Sequence, residues 1–529
     1  MKKNNFFSCL FSLFAGLLAA LPLLWDKISF LSFVLFIPYL LFLLTRKAET
    51  KLGFYYLSGL FFFFGYYMAS FAFFPAMYPL DFAGLGTLES IVVIFAAVVL
   101  LPLFQAWFSA FSVLLIGLLR KKRVLRFPLA FSLAFSALYT LFAYAQNFTW
   151  AGVPWANTAV GIASSPLLLQ SASILGSSFL VFLIIFCNAA LAEGYIRFRD
   201  CQDKSALICI LCALSLFVSN LSFGAVRLSA RKTGDGSVTV ALLQGNAPAT
   251  EDTYVDEHLR TCRYEALTAI EEADIDLMLW AESVLTCAMQ SDMMAYMLFR
   301  DTARKTGTMQ FVGTFSAEPT PDGEDGYYNA LVLFHPDGKQ NDVSYKKRRP
   351  VPFGEYVPMA WLFERVIPAL TEISMLSRNT TPGEDSALFY TDKGTFGGLI
   401  CFDSIYPALA RDSVKDGATL LLLSTDDSWF DGSFAKSLHF RHAILRAVEN
   451  GRSVVRTGNT GLSGVIDAYG NAEILVEPDE IGHGIATVDL RSATTVYNAV
   501  GEIFPLLLLG FLILLPLPWE KIKHHKKKG

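Results

Sequence analysis

Seven long apolar runs crowd the first 224 of 529 residues, and an eighth follows at 502–518. Between the seventh and the eighth, residues 237–490 have ordinary charge density and no comparable run. About 18 consecutive apolar residues cross a hydrocarbon core of about 30 Å as a helix. The runs fall near 6–24, 28–44, 53–74, 90–118, 127–145, 172–192, 206–224 and 502–518. One such run is compatible with a buried core helix, but seven in series are not. The first follows Lys2 and Lys3 with no small-residue cleavage motif before the next, so it reads as a retained span rather than a signal peptide. The overall composition, 53% hydrophobic and 17% charged, falls short of the roughly 25% charge of soluble domains. It also excludes a disordered chain, and a net charge of -4 leaves no general nucleic-acid footprint.

Basic residues in the short loops set an orientation. One set of ends holds Lys2 and Lys3; Arg46, Lys47 and Lys51; Arg120 to Arg126; Arg197, Arg199 and Lys204; and Lys521 to Lys528, eighteen Lys and Arg in all. The alternate short loops hold Lys27 alone. Both termini are therefore expected on the cytoplasmic side and 237–490 on the opposite side, with the basic tail touching anionic lipid. The loop at 146–171 carries Trp150 and Trp155 and no charge, so it is expected at the outer interface, as an aromatic anchor or as part of a lipid access site. Only Cys262, Cys287 and Cys401 fall in the outer block, an odd number without framework spacing, so at least one free thiol is expected.

Within the outer block, short apolar runs alternate with helical patterns, which predicts α/β layering. Strands are expected at 238–244, 275–280, 309–315, 330–334, 343–347, 396–401, 419–424, 453–457, 463–467 and 485–489, and helices at 255–272, 289–306 and 433–450. Glu282, Lys347 and Cys401 each stand at or just beyond a strand end, where α/β folds bind ligands. Taken singly they are a surface acid, a surface lysine and a small buried thiol. Together a carboxylate can take the thiol proton, a thiolate can attack a carbonyl and an ammonium can stabilise the oxyanion.

The segments Trp280-Ala-Glu282-Ser, Tyr345-Lys-Lys347 and Ile400-Cys401-Phe-Asp403 resemble the Glu-Lys-Cys triad segments of the nitrilase superfamily. The run Lys347-Arg-Arg-Pro-Val-Pro-Phe-Gly-Glu355-Tyr-Val-Pro358 is more specific and is similar to the bacterial apolipoprotein N-acyltransferases, as are Val240 to Asn246, Thr425 to Phe430 and Asn459 to Gly461. The resemblance implies an α-helical membrane bundle of eight transmembrane helices plus an α/β nitrilase-like αββα sandwich domain. Its parts would be 1–230 for seven helices, 237–490 for an extracytoplasmic catalytic domain, and 500–529 for the eighth helix and basic tail, in a bacterial inner membrane. It implies Glu282 as general base, Lys347 as oxyanion-stabilising lysine, Cys401 as acylated nucleophile, and supporting roles for Glu355, Phe402 and Asp403. The substrates implied are a phospholipid acyl donor and a diacylglyceryl-apolipoprotein acceptor, with no cofactor, metal or nucleic acid, and a monomer is expected. The alternative is a membrane-tethered nitrilase-type amidase hydrolysing a small amide.

Strand alternation puts Lys347 on the face of Tyr345 and the rival Lys346 on the other. Arg348 and Arg349 are open to two readings, phosphate headgroup contacts or a solvated basic run. The chain departs from the family pattern at Ala281, where Pro is common, and at Arg349 for His, Asp403 for Glu and Asp426 for Asn; Thr253 and Tyr254 stand where a Trp is usual. His439 and His442 lack further ligands in sequence and read as a polar helix face rather than a metal site; Cys287 reads as a packed thiol. The apolar stretches 358–363 and 367–370 are candidates for a lid or membrane-dipping arm, or for plain core helices.

Overall fold

The computed structural model describes all residues except 1–2, 48, 81–85, 123, 149–151, 202–203, 249–254, 362–364, 366–378 and 516–529. Trp150, Thr253, Tyr254, most of the candidate lid and the basic tail lie outside the described residues.

Among the described residues, six segments are long and apolar enough to cross a membrane: Phe6–Leu24, Asp26–Leu44, Leu52–Ser70, Thr87–Lys121, Ala172–Asp200 and Ser205–Ser229. Two further runs also hold helices: Ala130–Ala145 has 16 residues, and Ile503–Leu514 has 12, with the last three residues of its run outside the described ones. The second span is not a continuous α-helix. A 3-10 segment, Asp26–Phe33, precedes helix Ile37–Leu44, and the break leaves backbone groups that need partners away from water. Buried Asn188 supplies them: its Oδ1 accepts from Phe36 N at 3.0 Å and its Nδ2 donates to Ser32 O at 2.8 Å. Helices Lys3–Ala19 and Leu52–Ser70 cross at glycines. A Cβ on Gly16 would sit 1.9 Å from Phe62 O and one on Gly65 2.2 Å from Leu13 O, so only bare backbone allows that approach.

From Gly236 onward the period changes to strands. The described residues hold twelve: β1 Gly236–Gln244, β2 Leu277–Trp280, β3 Met309–Pro319, β4 Asp325–Phe334, β5 Tyr345–Lys346, β6 Leu388–Tyr390, β7 Thr395–Ile400, β8 Leu420–Thr425, β9 Val454–Gly458, β10 Ser463–Ile466, β11 Ala472–Val476 and β12 Gly482–Leu490. They form two six-stranded sheets, ordered β12-β1-β2-β3-β4-β5 and β11-β10-β9-β8-β7-β6. Alternate residues such as Val240, Leu242, Leu279 and Phe311 from one sheet meet Phe396, Ile400, Leu422 and Val455 from the other in a shared core. Helices Val255–Glu272 and Met293–Thr306 cover the first sheet, and Pro407–Lys415 and Ala435–Asn450 cover the second, giving α-β-β-α layering.

Sequence periodicity misses β6, β11 and helix Pro407–Lys415, each short enough to lack a clear repeat. The strand expected at 343–347 shrinks to Tyr345–Lys346, though Lys347 N still donates to Asn329 O at 2.8 Å.

The apolar core beneath the second sheet is continuous with that of the membrane helices, because helix Ala435–Asn450 packs on both. Arg441 donates to the carbonyls of Pro22 (2.9 Å), Val160 (3.4 Å) and Leu23. His442 Nε2 meets Trp155 O at 3.1 Å, and Glu449 accepts from Ser177 N at 2.9 Å. Trp155, expected at an outer interface, is instead buried among Phe73, Phe430, His439 and His442. His439 and His442 are likewise buried at 1% exposure each. The expected polar helix face is therefore internal, and its polarity is spent on hydrogen bonds.

Candidate active site

The carboxyl ends of β2, β7, β8 and β9 gather at one edge of the sandwich, because β1–β2–β3 and β7–β8–β9 are parallel runs in the two sheets. Ser424 Oγ donates to Trp280 O at 2.9 Å and Thr457 Oγ1 to Leu279 O at 3.1 Å, tying the two edges together. Parallel strands cannot continue past these ends without turning, and the turns carry the reactive side chains. Ser283 (φ 52°) after β2 and Cys401 (φ 46°) after β7 take a left-handed conformation, as does Phe353 (φ 62°) in the loop after β5. Such backbone persists only where its surroundings fix it.

Lys347, at 1% exposure, lies between two carboxylates: its Nζ is 2.8 Å from Glu282 Oε1 and 2.7 Å from Glu355 Oε2. Asn329, inside β4, bridges the same pair, donating from Nδ2 to Glu282 Oε1 at 2.8 Å and to Glu355 Oε1 at 2.7 Å. Glu282 Oε2 accepts from Asp426 N at 2.9 Å, and Glu355 Oε2 from Val351 N at 2.7 Å. Burial by itself would lower the Lys347 pKa, but Glu282 and Glu355 hold the ammonium well above its ordinary range. Burial, then the Glu282 carboxylate, push the Cys401 thiol well up, with Lys347 pulling against them. At rest Lys347 is therefore an ammonium and Cys401 a protonated thiol. The Lys346 side chain is elsewhere, 2.7 Å from Glu318 and over the Tyr328 ring.

Asp403 is fully buried, and its role is to hold the turn. It accepts from Ile400 N (3.2 Å), Arg349 N (2.8 Å) and Tyr345 OH (2.8 Å), and burial raises its carboxyl to about 6. Phe402 packs edge-on against Tyr406 at 5.5 Å. Arg348 pairs with Asp412 at 2.9 Å, and the Arg349 guanidinium lies 5.2 Å from the Tyr406 ring centroid, so neither is a freely solvated basic residue.

Beneath the Cys401 turn lies a second charged group that sequence reasoning misses. His439 Nδ1 is 2.8 Å from Asp427 Oδ1, and Asp427 Oδ2 is 2.6 Å from Arg456 Nη2, all three buried. His439 Nε2 meets the Cys401 carbonyl oxygen at 3.1 Å and Ser404 Oγ, itself a donor to that carbonyl at 2.8 Å, also at 3.1 Å. Burial would raise the Asp427 pKa, but Arg456 and then His439 hold it far below the ordinary carboxylate range. A signal for Asn329 exists in the sequence, as the one polar residue within Tyr328-Asn-Ala-Leu-Val-Leu-Phe334. None distinguishes His439 from an ordinary helix histidine.

Both halves of the chain match known families. Residues 15–190 match the family model described as the apolipoprotein N-acyltransferase N-terminal domain, and residues 239–497 match that of the carbon-nitrogen hydrolases. The chain is 30% identical over 379 residues to the apolipoprotein N-acyltransferase of Geobacter metallireducens, covering 70% of this chain and 71% of that one. For the proteins of the same name in Shewanella oneidensis and Rickettsia bellii, the figures are 29% over 396 residues (72% of each chain) and 26% over 424 residues (78% and 80%).

Proposed function

This chain belongs to the apolipoprotein N-acyltransferase family, and from that membership we propose how its own residues carry the reaction. The chain moves an acyl group from a phospholipid to the α-amino group of the S-diacylglyceryl-cysteine that begins an apolipoprotein. The match of residues 15–190 to the acyltransferase-specific domain favours this over hydrolysis of a small amide.

Glu282 takes the proton from the Cys401 Sγ. The thiolate attacks the ester carbonyl carbon of the phospholipid, and the oxyanion is stabilised by the Lys347 ammonium 2.8 Å from Glu282. When the carbon–oxygen bond breaks, the proton on Glu282 passes to the leaving alkoxide, giving a lyso-phospholipid and a Cys401 thioester. The α-amine of the second substrate then attacks the thioester carbonyl; an amide bond forms, the carbon–sulfur bond breaks, and the amine proton returns through Glu282 to sulfur. Glu355 and Asn329 keep Lys347 and Glu282 in register, and Asp403 and Phe402 support the Cys401 turn.

A single observation carries this assignment. The Lys347 ammonium, placed between two carboxylates beside a buried thiol, sits on a domain whose own helix is packed against apolar helices. Both substrates are lipid-borne, and a site seated on a membrane bundle suits them. We further take the chain to be a monomer with eight spans in a bacterial inner membrane. Residues 1–230 and 500–529 form its membrane part, both termini are cytoplasmic, and 237–490 is the extracytoplasmic catalytic domain.

Mass spectrometry of the purified full chain tests the mechanism. After incubation with phospholipid, an acyl adduct is expected on Cys401, lost on adding a diacylglyceryl-cysteine peptide and never formed by Cys401→Ser. No adduct under any lipid condition sinks the thioester route, and prompt loss to water alone would point to an amidase.

A further inference from the structure

At the far end of the second sheet from Cys401, three guanidinium groups surround one tyrosine, and Lys232 meets it through its backbone N–H. Tyr469 lies in the turn after β10, and Ile466 pairs with Val454 at the start of β9. The turn is therefore at the amino end of β7–β9, about one strand length, roughly 20 Å, from their carboxyl ends. The guanidinium carbons of Arg491, Arg227 and Arg231 lie 4.9, 5.3 and 5.6 Å from its ring centroid. Lys232 N donates to its hydroxyl at 3.0 Å, and Gln170 Nε2 to its carbonyl at 2.8 Å. A cavity of about 310 Å³ opens here, lined by Arg231, Lys232, Tyr469 and Arg491.

The positive charge is poorly compensated. Among the described residues, the closest ion pair made by any of the four is Arg491 to Asp489, at 3.8 Å. Three carboxylates share the lining, but they are engaged or turned to solvent. Asp467 accepts from Tyr469 N, Asn471 N and Asn471 Nδ2; Asp489 accepts from Gly234 N; and Glu473 is exposed. The three guanidinium groups give some of their N–H to uncharged protein acceptors, Arg227 Nη1 to Gln170, Arg231 Nη2 to Asn471 Oδ1 and Arg491 Nη2 to Lys232 O, and their remaining N–H groups match phosphate oxygens.

The place also fits a lipid. Arg227 is in the last turn of the apolar helix Ser205–Ser229. Leu207, Leu211, Leu214, Val218 and Val226 of that helix are exposed, and exposed Arg231 and Lys232 continue directly beyond it.

We propose that this junction binds the headgroup phosphate of an anionic phospholipid, whose acyl chains lie along the nearer half of the exposed stripe, from Val226 to Leu214. The site is distinct from the Cys401 centre and contributes no residue to it. Native mass spectrometry of the full chain in detergent tests it, titrating dioleoyl-phosphatidylglycerol, dioleoyl-phosphatidylcholine or inorganic phosphate. One retained phosphatidylglycerol is expected on the wild type, with at least about fivefold lower occupancy in Arg231→Gln/Lys232→Gln and in the exposed single variant Lys232→Glu, which serves if the double variant does not fold. Equal occupancy in wild type and variants overturns the proposal. So does equal retention of phosphatidylcholine, and displacement of the lipid by inorganic phosphate at the same concentration would assign the site to a soluble anion instead.

Discussion

His439 Nε2 lies 3.1 Å from the carbonyl oxygen of Cys401, while Nδ1 of the same ring lies 2.8 Å from Asp427. The left-handed backbone of Cys401, the proposed nucleophile, is thereby fixed from below by a side chain that reaches neither Glu282 nor Lys347 by any hydrogen bond. A displacement of about 1 Å in a reacting group can cost about 10²-fold in rate. His439→Ala is therefore expected to lower kcat by about that factor with little change in KM, and His439→Gln, which keeps one donor, to recover part of it. Steady-state kinetics checks the split; a raised KM at unchanged kcat would rule out a positioning role.

Removing Lys347 leaves Glu282 and Glu355 buried together without their shared cation. Breaking a buried ion pair from one side costs about 3–5 kcal/mol, so Lys347→Met should melt well below the wild type and form no Cys401 adduct. Adding Glu355→Gln removes one of the uncompensated charges. The double variant should regain much of the melting temperature and none of the acylation, a comparison that thermal melting and mass spectrometry make directly.

The Asp403 carboxyl, held near 6 by burial against an ordinary value of 3.8, gives opposite signs for stability and activity. Because its folded pKa is raised, its contribution to stability is fully present below about 4 and is lost as pH rises through 6. Its three donors need the ionised form, so protonation below 6 loosens the Cys401 turn. Activity should fall as pH drops through about 6, while the melting-temperature difference between wild type and Asp403→Asn moves in favour of the wild type. An acid limb that persists in Asp403→Asn transfers it to Asp426, which burial also raises to about 6.

Arg441 is buried, and burial lowers its pKa to about 10, yet its partners here are backbone carbonyls of the membrane segments. Arg441→Met leaves those carbonyls unpartnered at about 1–3 kcal/mol for a buried acceptor. The seam between sandwich and membrane helices should open more readily, seen as faster proteolysis between 225 and 240 and a lower melting temperature.

Apolar runs and strand alternation are local, so the six long membrane-competent segments, most strands and the strand-end positions of Glu282, Lys347 and Cys401 could be read directly from residue order. Alternation alone separated Lys347 from Lys346. Boundaries were less legible: helix Ala130–Ala145 begins three residues inside its apolar run, after a 3-10 segment at Val124–Arg126. Asn329 and Glu355 lie 47 and 73 residues from Glu282, and no spacing rule links such positions.

The linear pattern determined which segments seek lipid, which form sheets and which polar side chains stand at strand ends, because each of those depends on neighbours in the chain. Only the tertiary structure decided that Lys347 is shared between Glu282 and Glu355, and that His439 and Asp427 brace the carbonyl of Cys401. It also decided that Arg441 is spent on the membrane segments. Those roles arise where the carboxyl ends of two sheets and one helix meet, and burial there gives a hydrogen bond or a charge its weight.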